Sequence, residues 1–225
     1  MKIHTIYKIL LNHFGKQFWW PAETKFEIIT GAILTQQTSW KNVEIAIRRL
    51  KIHKKLTPKA IYEIPLPELE EIIKPSGFYK IKARRLKNFV NFLFENYDGD
   101  LNKLSSLDES LLRKQLLSVN GIGKETADAI MLYAFDKLSF VVDGYTIRIF
   151  SRLGLINEIG YERVKRIFET NLPKNVEIYK EYHALIVELG KNFCRKIPKC
   201  LYCPLKKRCK YANNYDATKK IGKKN

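Results

Sequence analysis

Four cysteines, Cys194, Cys200, Cys203 and Cys209, crowd into a short stretch near the end of the 225-residue chain. Four thiolates spaced x5, x2, x5 suit one metal centre, either a tetrahedral zinc or a [4Fe–4S] cubane, and spacing alone does not choose between them. A second suggestive stretch is "NGIGKETADAI", residues 120–130, where Gly121 and Gly123 flank Ile122. Glycine lets a chain reverse tightly, and it lets backbone N–H groups approach a phosphate oxygen with no Cβ in the way. The helix that follows adds its own N-terminal attraction for an anion. A P-loop is excluded because no Gly-Lys-Ser/Thr stands at the required spacing, and a dinucleotide fingerprint is excluded because no strand precedes the turn. A plain helix–helix turn accounts for the glycines nearly as well. The third candidate is Asp143, between the apolar Phe140-Val141-Val142 and a helical stretch from Tyr145 to Leu153. Aspartate is a preferred helix N-cap, and a cap also fixes the direction of a carboxylate.

The elements that must position these residues are helical. Ile3, Ile6, Tyr7, Leu10 and Leu11 recur at helical spacing over 3–14. Pro21 fits the start of a second helix reaching about Leu34. Residues 42–50 continue as an amphipathic helix, and Thr57-Pro58 and Pro65-Leu66-Pro67 each open a short one. "KPSGFYKIKARRLKNFVNFL" (74–93) starts as a turn and runs into a long basic helix. Helices are expected over 107–117, 124–135, 144–153, 160–170 and 176–191. With few convincing strands, the reading is an all-α protein of about ten helices ending in a short cysteine-rich loop.

Lys and Arg number 41 against 23 Asp and Glu, a net charge of +18. So basic a surface favours a polyanionic partner, most simply nucleic acid, although a lysine-rich genome or heat adaptation gives a similar balance. No apolar run approaches the ~18 residues that would span a bilayer. The N-terminus reads as an amphipathic helix and not a secretory leader. An intracellular protein of the cytoplasm, associated with the nucleoid and with no membrane partner, is expected; the lysine-rich tail, 211–225, is expected to be disordered.

The hairpin's surroundings sharpen the reading. Leu117-x-x-Asn120-Gly-Ile-Gly123-x-x-Thr126-Ala127, followed by Val141-Val142-Asp143, resembles the endonuclease III superfamily of helix-hairpin-helix DNA glycosylases. "GAILTQQTSWKNV" (31–43) resembles the segment carrying the family's DNA-wedging glutamine. "SGFYKIKARRLK" (76–87) resembles its second helical landmark, and the cysteines resemble its cluster loop, with five residues in the first gap where six are usual. The resemblance implies a two-lobed fold, with a six-helix module over 22–135 and a cluster lobe made of 1–21 plus 136–210. It also implies a [4Fe–4S] cofactor in preference to zinc, and a monomer acting on double-stranded DNA that holds a damaged base. DNA is expected across the cleft where Asp143 sits.

The family's roles transfer by position. Asp143 becomes the carboxylate that stabilises positive charge on the sugar and takes a proton from the attacking water. Gln37 becomes the wedge filling the gap left by the flipped base, with Gln36 the neighbouring alternative. Gly121, Gly123 and Lys124 become backbone contacts. Lys80, Lys82, Arg84 and Arg85 are either phosphate contacts or a solvated face. In the bifunctional branch, the second residue after the last hairpin glycine is a lysine that attacks the sugar; here it is Glu125. Water is then the expected nucleophile, with Glu125 in the pocket or merely favourable in a first helical turn. Trp19-Trp20-Pro21, Thr35-Gln36-Gln37, "KPSGFY" and "GKETADAI" most resemble the 3-methyladenine glycosylase branch. There Trp19 and Trp40 match base-stacking positions flanked by Trp20 and Pro21, and aromatic faces attract a cationic methylated purine. The tryptophans would otherwise serve as a core staple. The competing readings are a bifunctional glycosylase/AP lyase for oxidised pyrimidines or abasic sites, and a non-catalytic damage-binding protein.

Overall fold

The structure is a computed structural model describing residues 2–157 and 160–214, so the tail from 215 onward lies outside the described residues. The described chain is all-helical, and none of its helices is long and apolar enough to cross a membrane. The described residues divide into two compact units, one of 2–19 with 140–157 and 160–214 and the other Trp20–Ser139.

In chain order, α1 (Ile3–Phe14) opens the first unit, burying Ile3, Ile6 and Leu10 along one face. The second unit then comprises α2 (Lys25–Leu34), α3 (Trp40–Ile52), α4 (Pro58–Glu63), α5 (Leu66–Ile73), α6 (Tyr79–Tyr97), α7 (Leu101–Ser105), α8 (Glu109–Ser118) and α9 (Lys124–Ala129). The chain returns to the first unit with α10 (Gly144–Leu153), α11 (Tyr161–Asn171), α12 (Val176–Asn192) and α13 (Lys210–Asn213).

Local chemistry moved several boundaries away from the sequence expectation. Pro21 is exposed and does not begin α2; Thr24 does, its hydroxyl accepting Glu27 N–H at 3.1 Å while the Glu27 carboxylate takes Glu23 N–H at 3.1 Å. One donor satisfied by Thr24 and another, Glu23 N–H, satisfied by Glu27 outcompete a proline three residues before Thr24. The helix after the hairpin is α-helical only to Ala129 and widens into a π-turn over Ile130–Ala134, all five residues buried. α7, with its Asp100 cap, has no counterpart in the expected list. The cysteine-rich segment is more ordered than a loop, with 3-10 turns at Cys200–Tyr202 and Lys206–Arg208 before α13.

In the first unit α12 packs on α1 and α10. Between them Phe140 stacks on Phe168 at 4.3 Å, Phe150 meets Phe168 edge-on at 4.7 Å, and Tyr182 donates its hydroxyl to Ile3 O at 2.8 Å. That fully buried aromatic core fixes the strandless segment 140–143 and so the start of α10. In the second unit α2 is buried along most of its length and packs against α3, α6 and the π-turn.

Candidate active site and nucleic-acid interface

The hairpin joining α8 and α9 is braced from within its own unit. Gly121 has φ +96°, and a Cβ there would lie 2.2 Å from Arg85 Cγ, so only glycine fits. Gln36, just past α2, donates to Gly121 O at 3.1 Å and to Thr126 Oγ1 at 2.9 Å, while its own oxygen accepts from Arg85. Asn88 holds Asn120 O at 3.1 Å. Gly123 differs: its φ of −87° is open to any residue, and a Cβ would meet nothing within 4 Å. Among the described residues nothing demands that glycine. Lys124 and Glu125 follow it, both exposed in the first turn of α9. Below them Asp128 is fully buried, with both oxygens on Arg113 (2.7 and 3.0 Å) and one also taking Ser139 Oγ–H at 2.7 Å. This bidentate pair fastens α8 to α9 and sets the hairpin angle.

Gln36 and Gln37 have separate fates. Gln36 is locked in the hairpin, whereas Gln37 is exposed with φ +55°, projecting from the turn after α2. A second strained turn adjoins it: Gly77 (φ +66°) and Phe78 (φ +46°) are consecutive left-handed residues, and a Cβ on Gly77 would sit 4.0 Å from Thr38 Oγ1. Phe78 is 62% exposed, unusual for an aromatic at a conformation that costs a bulky residue about 1 kcal/mol or more. Among the four cations Lys80, Lys82, Arg84 and Arg85 of α6, Lys80 and Arg84 are exposed and Arg85 braces Gln36. Lys82 is neither a phosphate contact nor part of a solvated face. It is buried, donates to Ser76 O at 2.6 Å, and is brought down to about 8 by burial and then by the nearby Arg85 guanidinium. Its ammonium closes the turn from which Phe78 projects.

The tryptophans also separate. Trp20 and Trp40 meet edge to face at 5.1 Å, and Trp20 contacts Tyr133 of the π-turn at 5.2 Å. Gly31 makes room for that ring, since a Cβ there would be 3.1 Å from Trp20. Trp19, in the other unit, lies over His183 at 5.7 Å with the Lys191 ammonium 5.6 Å from its ring centre.

Asp143 caps α10. Its Oδ1 accepts Thr146 N–H at 2.7 Å and Thr146 Oγ1–H at 2.8 Å, and its Oδ2 stands 3.7 Å from His183 Nε2. Burial resists ionisation of this carboxyl, but His183 and the two Thr146 donors outweigh it and hold it below the usual carboxylate range. At 3.7 Å the imidazole stands beyond close hydrogen-bond range. A buried, oriented carboxylate that stays ionised can stabilise developing positive charge and accept a proton from water.

The four cysteines are unpaired and half-buried. Arg148 Nε holds Cys194 O at 2.8 Å, and Arg152 donates to Cys194 Sγ at 3.3 Å and to Arg195 O and Lys196 O at 2.6 and 3.0 Å. Burial, with the neighbouring thiols, pushes Cys203 up to about 11 and Cys200 upward. These two thiols hold their protons unless a cation takes their place. Among the described residues, no three His, Cys, Asp or Glu side chains are arranged to hold a single metal ion.

Residues 30–174 match the HhH-GPD superfamily of base excision DNA repair proteins. The chain belongs to that superfamily. A Methanocaldococcus jannaschii relative named "Putative DNA repair glycosylase MJ1434" is 57% identical over 210 residues, 92% of this chain and 95% of the relative. Among solved structures, the H. pylori 3-methyladenine DNA glycosylase MagIII, bound to 1,N6-ethenoadenine, superposes with a TM-score of 0.76 at 30% identity. The match covers 85% of this chain and 98% of that one. A non-covalent endonuclease III–DNA complex gives 0.82 at 25% identity over 94% and 95%. The superfamily places the chain among DNA base-excision glycosylases with the all-helical fold of endonuclease III.

Several residues of the site were not singled out in the sequence. Thr146 follows the capping aspartate by three positions and could have been read from the cap pattern. His183 is the one polar residue within Tyr182–Val187, an interruption of an apolar run that carries a signal only once its partner is known. The Arg113–Asp128 pair spans two helices and left no local mark.

Proposed function

We propose that the protein is a monofunctional DNA glycosylase that flips alkylated purines of the 3-methyladenine type out of duplex DNA and hydrolyses their N-glycosidic bond. The observation that carries this reading is Glu125, exposed in the first turn of α9, where the bifunctional branch of the resembling family has its attacking lysine. A carboxylate cannot form a Schiff base, so water is the nucleophile. Asp143, ionised and aimed by Thr146, stabilises the positive sugar and receives the water's proton. A purine methylated on its ring nitrogen is already a good leaving group, so the site needs no acid to protonate it. Each unit carries aromatic rings suited to such a cation: Trp20 with Trp40 in one, and Trp19 in the other. The similarity to a 3-methyladenine glycosylase over nearly all of that protein's length supports the same substrate class.

DNA affinity is assigned to the hairpin backbone at Gly121 and Gly123, with Lys124 beside it. Gln37 is assigned to the vacated space in the duplex, and Phe78, exposed on the adjoining strained turn, is suited to unstack neighbouring bases. Cys194, Cys200, Cys203 and Cys209 are assigned to a [4Fe–4S] cluster. Cysteine spacing alone leaves one zinc and a cubane open, and the similarity to endonuclease III favours the cluster. When bound, the cluster supplies rigidity to the segment between Cys194 and Cys209, and no reaction step is assigned to it.

The test pairs base release with trapping. Wild-type protein incubated with methylated duplex DNA is expected to release 3-methyladenine and leave an intact abasic strand, with no borohydride-trapped adduct. Asp143→Asn, whose amide oxygen can still cap α10, is expected to fold and bind DNA while losing more than about a hundredfold in release, ~3 kcal/mol of barrier. Efficient trapping by the wild type, or release by Asp143→Asn within about tenfold, overturns the reading.

A further inference from the structure

We infer that Glu169 of α11, with Lys165 beside it, is a positioning residue for Asp143, and that it acts by anchoring the backbone that carries the carboxylate to the head of α10. The inference rests on the proposed role of Asp143. It starts from the main chain. Phe140, Val141 and Val142 lie in neither helix nor strand, so no helical or sheet ladder takes up their N–H and C=O groups. All three side chains are buried, and polar backbone in such a place needs partners from elsewhere.

α11 supplies them. Glu169 Oε1 accepts Phe140 N–H at 2.9 Å, and Lys165 Nζ reaches Phe140 O at a longer 3.5 Å. Lys165 and Glu169, one helical turn apart, close the ring with an ion pair of 2.8 Å. The same helix grips the same residue by its ring, since Phe168 stacks on Phe140 at 4.3 Å. Two residues on, the Tyr161 hydroxyl at the start of α11 takes Val142 N–H at 3.5 Å. This pair is turned inward. Its side chains are 10% and 22% exposed, whereas Lys59 and Glu63, at the same spacing on α4, are 79% and 61% exposed. Asp143 is thus held from two directions. Its cap on Thr146 orients the carboxylate relative to α10, and three residues upstream the chain entering that cap is fastened to Glu169. Reaction rates are steep in position, with a misplacement of about 1 Å costing about a hundredfold. Glu169 therefore acts through Phe140 and not on the reacting atoms.

The two roles of Glu169, acceptor and counter-charge, separate by substitution. Glu169→Gln keeps an oxygen for Phe140 N–H and gives up the charge facing Lys165. Glu169→Met keeps similar bulk, so water does not take the vacated place, and removes the acceptor. Single-turnover base release from methylated duplex DNA is measured per folded molecule, with DNA affinity in parallel. Backbone hydrogen exchange over 140–147 gives a readout independent of activity. Glu169→Met is expected to slow release at least about tenfold while affinity stays within about twofold. It is also expected to speed exchange over 140–143 at least about tenfold and to leave α12 unchanged. Glu169→Gln is expected to remain within about threefold of wild type in both measurements; Glu169→Ala serves if the methionine variant does not fold. A pair that merely stabilises α11 would lower stability in both variants and leave release per folded molecule unchanged. That result, or a glutamine variant as slow as the methionine one, overturns the inference. Unchanged exchange over 140–143 in Glu169→Met overturns it whether or not base is released. If Asp143→Asn still releases base, the functional reading fails, and exchange still decides whether Glu169 holds the segment. If Asp143→Asn is dead while Glu169→Met releases base normally, only this inference fails.

Discussion

Replacing Lys82 with methionine tests how the turn bearing Phe78 is held. The ammonium is 1% exposed and makes one hydrogen bond, to Ser76 O at 2.6 Å. Burial and then Arg85 bring it from 10.5 to about 8. At ~1.4 kcal/mol per tenfold in proton affinity, that gap corresponds to ~3 kcal/mol against the charged form in the fold. The folded state holds this proton less tightly than the unfolded chain does. Between pH 8 and 10.5 the unfolded chain therefore binds more protons, and stability rises with pH through that window. Methionine keeps the apolar stem, removes the charge penalty, and strands the Ser76 carbonyl at a cost of about 1–3 kcal/mol. Near pH 7 those effects largely offset, so Lys82→Met is expected within about 2 kcal/mol of wild type. Near pH 10.5 the wild type has shed its penalty and the variant falls behind by about 1–3 kcal/mol. Urea unfolding of both proteins at pH 7, 8, 9 and 10 measures the difference. It should shift against the variant by ~3 kcal/mol across the series. A difference constant to within ~1 kcal/mol would falsify the account of Lys82 as a buried, penalised ammonium.

Two further substitutions address the hairpin. Gly121→Ala, forced against Arg85 at φ +96°, is expected to destabilise the fold by about 1–3 kcal/mol in chemical unfolding, whereas Gly123→Ala should change stability by under about 0.5 kcal/mol and weaken duplex DNA binding instead. Equal effects of the two on stability would show that Gly123 has an internal role. Glu125→Lys is expected to produce slow borohydride trapping on abasic duplex DNA, since it puts an amine beside Lys124 and like charges favour the neutral, nucleophilic form. A folded, DNA-binding Glu125→Lys variant that traps nothing would show that this position alone does not set the mechanism.

What the sequence made legible follows from the range of the forces involved. Helix periodicity and caps act over a few residues, and the long helices over 79–97 and 176–192 and the capping role of Asp143 were readable on that scale. The start of α2 was misplaced because proline at a helix start is a weak local preference, while Thr24 and Glu27 satisfy each other's neighbourhood with two hydrogen bonds. The π-turn at 130–134 keeps an apolar pattern that a regular helix would share, so nothing local announced it. Lys82 shows the limit most plainly. In sequence it is one cation among four in a basic run; in the fold it is the one turned inward, because its register on α6 coincides with Ala83, Leu86 and Phe89 on the buried face.

The same limit explains why the candidate site was legible in part. Asp143, the hairpin glycines and the cysteines announce themselves through residue type and spacing, which chemistry constrains tightly. Their supports do not: Gln36 with Arg85 behind the hairpin, Arg113 with Asp128 beneath it, and His183 beside the carboxylate are separated in sequence by 15 to 90 residues from what they hold. Each is a polar side chain at a buried or half-buried position, which is costly unless a partner is in place. That cost is the usable signal. A glutamine, an aspartate or a histidine set into an apolar run implies a partner somewhere, and only the fold says which one. For Gln36 the partner is the hairpin itself, leaving Gln37 next to it as the exposed glutamine.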